Sequence, residues 1–209
     1  MFGDPEFDIP KIRSHKNKII SQLNGGISQL AKARNVNVLC GKASFINNSE
    51  VVVETSEKKE QIQFKNCIIA SGSTAAMLPN LPLDHPLVLT SKTALDLDDV
   101  PGSLLIIGGG IIGLELGQVY STLGTDVSVV EYMPSLIPGA DDDIAKPLIR
   151  KLKKHFKSIM LSSKVTNVDV GFEEGVRVSI ESNNEMKDQV YDKVPVSYTH
   201  LRAHETQRY

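Results

Sequence analysis

Cysteine is scarce in this 209-residue chain, with Cys40 and Cys67 the two it has. They form no Cys-x-x-Cys pair and neither stands beside a histidine, so local spacing supports neither a thiol-ligated metal nor a dithiol centre. Both fall in short apolar runs and read as reduced core thiols. Histidine is also sparse, five in all, two of them in the last ten residues, and no metal site is expected. No apolar run approaches the roughly 20 residues that a membrane-spanning helix requires. The first residues lack the basic-then-apolar order of a signal peptide, so a soluble cytoplasmic protein without a membrane partner is expected. Charge bias is missing as well: 23 basic residues meet 25 acidic ones without a basic stripe, which argues against nucleic acid as a partner. No internal repeat is evident. The length suits one large domain or two small ones.

Against these absences stands one dense signal, Leu104-Leu105-Ile106-Ile107-Gly108-Gly109-Gly110-Ile111-Ile112-Gly113-Leu114-Glu115-Leu116-Gly117. Four apolar residues make a buried strand. Gly108 permits a tight turn, Gly110 lets backbone approach a pyrophosphate, and Gly113 with Gly117 gives the following helix a flat side against the strand. The helix N-terminus then offers unpaired N–H groups and the positive end of its dipole to the phosphates. The helical pattern continues through Val119 and Leu123 to a cap at Gly124, and a second apolar strand at 127–130 ends in Glu131. A carboxylate there accepts hydrogen bonds from a ribose diol and repels a 2′-phosphate, and no arginine follows until Arg150. Strand, turn, helix, strand and acid in one unit read as an NAD site; the alternative is a glycine-rich turn in an ordinary α/β domain.

Upstream, Ile12, Ile19, Leu23, Ile27 and Leu30 follow a helical stripe over residues 8–33, with Pro10 in the first turn, a kink expected at Gly25-Gly26 and a stop at Asn35. Residues 36–40, 44–46, 50–54 and 61–64 read as short strands of a small antiparallel ribbon. Residues 67–73, Cys67-Ile68-Ile69-Ala70-Ser71-Gly72-Ser73, read as a buried strand ending in small residues. Pro79, Pro82 and Pro86 mark an extended linker, residues 91–97 a short helical turn, and the nucleotide-binding unit is expected to begin near Pro101. Beyond Glu131, Asp141-Asp142-Asp143 reads as the capping end of a helix carrying Ile144, Leu148, Leu152 and Phe156, basic at its far end and tolerant of Pro147 only if it starts close before that residue. Strands follow at 164–170, 176–180 and 186–194, with turns at Gly175 and Asn183-Asn184. From Pro195 no period is sustained; residues 195–209 resemble a translated adapter or vector read-through and are expected to stand outside the fold.

These residues resemble the middle of the bacterial dihydrolipoyl dehydrogenases, within the pyridine nucleotide-disulfide oxidoreductase family, from about Phe2 to Val194. The resemblance rests on Ile12-Arg13, on residues 22–26, on the Ala70-Ser71-Gly72 flavoprotein signature with Ser for the usual Thr, and on residues 108–115 followed by Val130-Glu131. It implies an α/β fold: a partial FAD-binding domain with a small antiparallel ribbon over residues 1–100, a Rossmann-like NAD-binding domain over 101–194, and the non-native tail. It implies that Gly108, Gly109, Gly110, Ile111, Ile112 and Gly113 wrap the NAD pyrophosphate and that Glu131 holds the adenosine ribose. Backbone at Val165 would line the adenine, and Glu115 would point towards nicotinamide and flavin. Ala43, Ser71 and Gly72 would lie against FAD. The implied parent is a homodimeric flavoprotein serving 2-oxoacid dehydrogenase or glycine cleavage complexes.

The chain also departs from the family. Neither the family's own glycine-rich FAD turn, nor its Cys-x4-Cys redox pair, nor its His-Glu acid/base pair is among these residues, and Cys40 and Cys67 stand at positions the family does not use. Thr74 replaces the more ordinary arginine after the flavoprotein signature. No catalytic residue is therefore assigned, and a sister reductase of the glutathione or mercuric type, or a nucleotide-binding segment without catalysis, stays open.

Overall fold

The computed structural model describes residues 6–72, 81–172 and 175–197. They fall into two compact units, one over 10–72 and one holding residues 81–197. Ser73, Thr74 and Pro79, part of the expected signature and linker, lie outside the described residues.

In the first unit the apolar stripe does give a helix, α1 (Ile9–Ala33). It runs through Gly25 and Gly26 as one continuous helix; glycine weakens a helix by roughly 0.5–1 kcal/mol without having to break it. Asn35, at φ +53, then turns the chain out of the helix. Strands β1 (Lys42–Asn47), β2 (Glu50–Glu54) and β3 (Lys59–Gln63) form the antiparallel ribbon. Its turns are closed by side chains: Asn47 Oδ1 accepts from Ser49 N–H at 2.9 Å and Thr55 Oγ1 from Lys58 N–H at 3.0 Å.

Two expected strands of this unit are not there. Residues 36–40 and the described part of 67–73 are irregular, with Val38 67% and Ile68 91% exposed. The two thiols are free and exposed, not core residues. The cause is that apolar runs become strands only against a paired edge and a packed layer, and among the described residues of this unit only Val53 is buried.

The second unit contains β4 (Val88–Thr90), α2 (Ser91–Ala94), β5 (Ser103–Ile107), α3 (Ile111–Thr122), β6 (Asp126–Val130), α4 (Asp142–His155), β7 (Ser158–Met160), β8 (Ser163–Phe172), β9 (Gly175–Ser182), β10 (Glu185–Tyr191) and β11 (Val194–Val196). Strands in the order β4-β11-β5-β6-β7 make a parallel sheet, while β8, β9 and β10 form a separate antiparallel meander. Alternation along β5 sorts the core: Leu104 and Ile106 pack in the cluster that holds Leu114, Leu116, Tyr120, Leu152 and Phe156 of the helical layer, whereas Leu105 and Ile107 pack with Val168, Val176, Val178 and Ile180 of the meander. With both faces covered, β5 reads as a continuous apolar run from Leu104 to Ile107, and β6 is apolar after Asp126 except for the buried Ser128.

Gly113 and Gly117 let α3 lie flat. A Cβ at Gly113 would stand 2.4 Å from the Gly108 carbonyl oxygen and one at Gly117 would stand 2.8 Å from Ile106 Cδ1. Asp141 is the N-cap of α4, but its side chain makes no capping bond, contrary to expectation; Asp143 Oδ1 instead accepts from Ile144 N–H at 2.9 Å. Pro147 lies inside this helix and has no N–H to return to residue 143.

Three boundaries differ from the sequence reading. The unit begins before Pro101, because β4 joins its sheet. The expected strand at 186–194 divides, β10 ending in the meander and β11 entering the parallel sheet. At the crossing, Asp192 Oδ2 accepts from Ser103 N–H at 2.8 Å and Asp192 N–H donates to Ser103 Oγ at 3.1 Å. The expected tail also starts too early: Pro195 and Val196 lie in β11, buried between β4 and β5. Proline gives no ladder N–H, but Val194 N–H donates to the Leu87 carbonyl and Ser197 N–H to the Ile107 carbonyl, each at 2.9 Å, so bonds on either side of Pro195 hold the strand. Residues 198–209 lie outside the described residues. No helix among the described residues is long and apolar enough to cross a membrane.

Candidate functional site

In the parallel sheet, β5 has β6 on one side and β11 on the other. At such a reversal the connections leave opposite faces, and a crevice opens beyond the carboxyl ends of the strands. The glycine turn sits there. Gly108, at φ +108, takes a conformation that side chains disfavour, and its N–H donates to the Val130 carbonyl at 2.9 Å, extending the β5–β6 pairing by one residue. Gly110 is the N-cap of α3 with extended backbone and no side-chain cap. The first-turn N–H groups of α3 therefore carry no side-chain acceptor, which together with the helix dipole makes an anion cradle.

Glu131, directly after β6, is 8% exposed, and its carboxylate spans two loops. Oε2 accepts from Gly109 N–H at 2.6 Å and Oε1 from Met133 N–H at 2.7 Å. A carboxylate has about four lone-pair sites, so two remain for a diol. Ser163 N–H donates to the Glu131 carbonyl at 3.0 Å, which places the start of β8 beside the same strand end. An open cleft lined by Tyr132, Ser162, Lys164, Glu181, Asn183 and Asn184 adjoins the chain as it leaves Glu131. Another open hollow, lined by Leu81, Pro82 and residues 167–170, offers Asp169 as its only ionisable group.

The structure thus brings together Gly108, Gly109, Gly110, Ile111, Ile112, Gly113 and Glu131. Ile111 and Glu115 are exposed on α3, and Val165 is half-buried in β8 next to the cleft residue Lys164. Ala43 lies exposed in β1, paired with Val53, and Ser71 and Gly72 are exposed in irregular chain, Gly72 at φ +72. These last three belong to the first unit. Sequence reasoning missed the loop after Glu131. Leu136 is 1% exposed, with its Cδ2 2.4 Å from where a Gly109 Cβ would stand, and Ile137 N–H donates to the Gly109 carbonyl at 2.9 Å. Its signal was the Pro134, Pro138 and Gly139 punctuation, which marks a loop but not what the loop grips. Among the described residues no group of His, Cys, Asp and Glu is placed to hold a metal ion.

A sequence profile described as "Pyridine nucleotide-disulphide oxidoreductase" matches residues 4–197. Dihydrolipoyl dehydrogenases of Vibrio parahaemolyticus and Vibrio cholerae are 43% and 42% identical over 198 residues, 94% of this chain. The chain spans 41% of the length of these relatives. Among solved structures, the flavoprotein disulfide reductase RclA of Escherichia coli superposes with a TM-score of 0.78 at 28% identity, covering 90% of this chain and 42% of that one. LpdA of Mycobacterium tuberculosis, at 19% identity and a TM-score of 0.83, covers 94% of this chain and 44% of that one and shares the fold.

Proposed function

Because this chain belongs to the pyridine nucleotide-disulphide oxidoreductase family, we propose that it carries the NAD-binding half-site of a flavoprotein that re-oxidises protein-bound dihydrolipoyl groups. The observation that carries the reading is the Glu131 carboxylate, held at the glycine turn by Gly109 and Met133 N–H groups with two acceptor sites to spare. Gly108, Gly110, Ile111, Ile112 and Gly113 shape the pyrophosphate cradle, Glu131 takes the adenosine ribose hydroxyls, and Val165 backbone borders the adenine. Glu115 faces the nicotinamide end. When bound, NAD supplies the hydride acceptor, and the residues here anchor and orient it. Ala43, Ser71 and Gly72 offer small side chains and exposed backbone to FAD. The whole protein is a cytoplasmic homodimer working with 2-oxoacid dehydrogenase or glycine cleavage components. The higher identity to dihydrolipoyl dehydrogenases than to RclA supports this substrate over that of a sister disulfide reductase.

NADH is expected to bind more tightly than NADPH by roughly 1–3 kcal/mol, since a 2′-phosphate removes a charge-assisted bond and meets a carboxylate. Fluorescence titration with each nucleotide measures the difference, and Glu131→Ala is expected to collapse it. Equal affinities for the two nucleotides, or unchanged selectivity in the variant, would sink the assignment.

A further inference from the structure

Gly109 has no free backbone polar group. Its N–H goes to Glu131 Oε2 at 2.6 Å and its carbonyl accepts from Ile137 N–H at 2.9 Å. Both partners lie on the chain that leaves β6, and the same carboxylate also holds that chain through Met133 N–H. The space above Gly109 is filled from the same source: a Cβ there would stand 2.4 Å from Leu136 Cδ2 and 3.1 Å from Glu131 Cβ. The second peptide of the glycine turn is therefore fixed by Glu131 and by residues 136–137, not by its own helix.

We infer that Glu131 is a positioning residue for the pyrophosphate cradle, in addition to its contact with the ribose. The inference rests on the NAD reading above and deepens it. Since the Gly109 N–H is committed to Glu131, the N–H groups left for a phosphate are those at the uncapped start of α3. Their direction depends on the Gly109 peptide staying where the carboxylate holds it. Removing the carboxylate leaves a buried donor unpaired and frees the turn to rotate. A change of residue 131 made to admit a 2′-phosphate would for the same reason weaken phosphate binding generally, unless Gly109 N–H regains an acceptor.

The two roles separate when the ribose hydroxyls are taken away. In the full-length flavoenzyme carrying this segment, ADP and 2′,3′-dideoxy-ADP are compared as inhibitors competing with NADH, in wild type, Glu131→Ala and Glu131→Gln. Glu131→Ala is expected to weaken inhibition by both, the dideoxy form by about tenfold or more, as loss of a bond to a charged group predicts. Glu131→Gln keeps the size and one carbonyl acceptor, so it holds one of the two N–H groups and falls between wild type and Ala. Its result stands by itself if the Ala variant fails to assemble with flavin. The KM for NADH is expected to rise in both variants with kcat at saturation little changed, since the turn anchors the end of the dinucleotide remote from hydride transfer. Inhibition by dideoxy-ADP that neither variant alters overturns the inference, and loss confined to ADP then leaves the ribose contact and the cofactor reading standing. Wild type inhibited by neither nucleotide overturns the cofactor reading and this inference with it.

Discussion

Tyr120 is 2% exposed, and its hydroxyl donates to the Ala94 carbonyl at 2.8 Å, tying α3 to α2. Burial, and then the carboxylates of Asp99, Asp98 and Asp96, push its pKa up to about 12. A folded state that holds this proton to about pH 12 competes with an unfolded chain that releases it near pH 10. The contribution is thus complete below pH 10 and is lost as pH rises through 12, a fall of about 2–3 kcal/mol from this group. Tyr120→Phe is expected to cost about 1–3 kcal/mol at neutral pH, because the Ala94 carbonyl loses its partner, and to remove that part of the alkaline slope. Urea denaturation of both proteins at pH 7, 9, 10 and 11 measures it; a gap that does not shrink above pH 10 contradicts the assignment. Glu131 makes a contrast at the same scale. Its place at the end of β6 was legible from spacing, whereas its bond to Gly109 N–H was not, because the pair is separated by α3 and β6.

Among the elements, the turn of the β9–β10 hairpin follows directly from its sequence. Ser182 pairs with Glu185, so Asn183 and Asn184 form a two-residue loop, and both have positive φ, 52° and 62°. Asparagine tolerates that conformation and matches the twist of the flanking strands. Asn184→Ala is expected to destabilise the second unit by about 1 kcal/mol and Asn184→Gly to be nearly neutral, read from denaturation midpoints. A neutral Ala variant would show that the loop relaxes to another turn. Strands with a covered face were legible from their pattern: 50–54 emerges as β2, and 127–130 as all but the first residue of β6. The short ones were not. β7 and β11 have three residues each, too few to show a period, and are strands because β6, β4 and β5 offer them edges.

For the whole molecule, the two units differ in kind. The second has an apolar core on each face of its sheet, while α1 in the first buries no residue and leaves Leu23, Ile27 and Leu30 more than half exposed. The thiols are two exposed cysteines, with no Cys-x4-Cys among the 209 residues. Re-oxidising a dihydrolipoyl group requires a protein disulfide, which one substrate thiolate attacks and which is reduced to a dithiol as the lipoyl disulfide forms, and a flavin to take the electron pair on from that dithiol. The 209-residue chain is therefore expected to form no NADH from dihydrolipoamide above a flavin-only blank, even with FAD and NAD supplied. Turnover above the blank that Gly110→Trp abolishes would show that these residues suffice for catalysis.

The sequence by itself determined the parts whose cause is local. These are the glycine turn, the helix that Gly113 and Gly117 allow to lie on β5, the acid at the end of β6, and the turns at Gly124 and Asn183-Asn184, all set by backbone freedom or by a period of 2 or 3.6 residues. Tertiary structure decided what depends on a distant partner. Val194–Val196 is a central strand because a gap lies between β4 and β5, although its sequence carries no strand pattern. Residues 36–40 and the described part of 67–73 are as apolar as many strands, yet remain irregular because nothing within their unit pairs with or covers them. The grip of Glu131, Leu136 and Ile137 on Gly109 was decided at this level too. Propensity is a property of neighbours in the chain, whereas burial and pairing need a second surface, and only the folded sheet brings that surface into place.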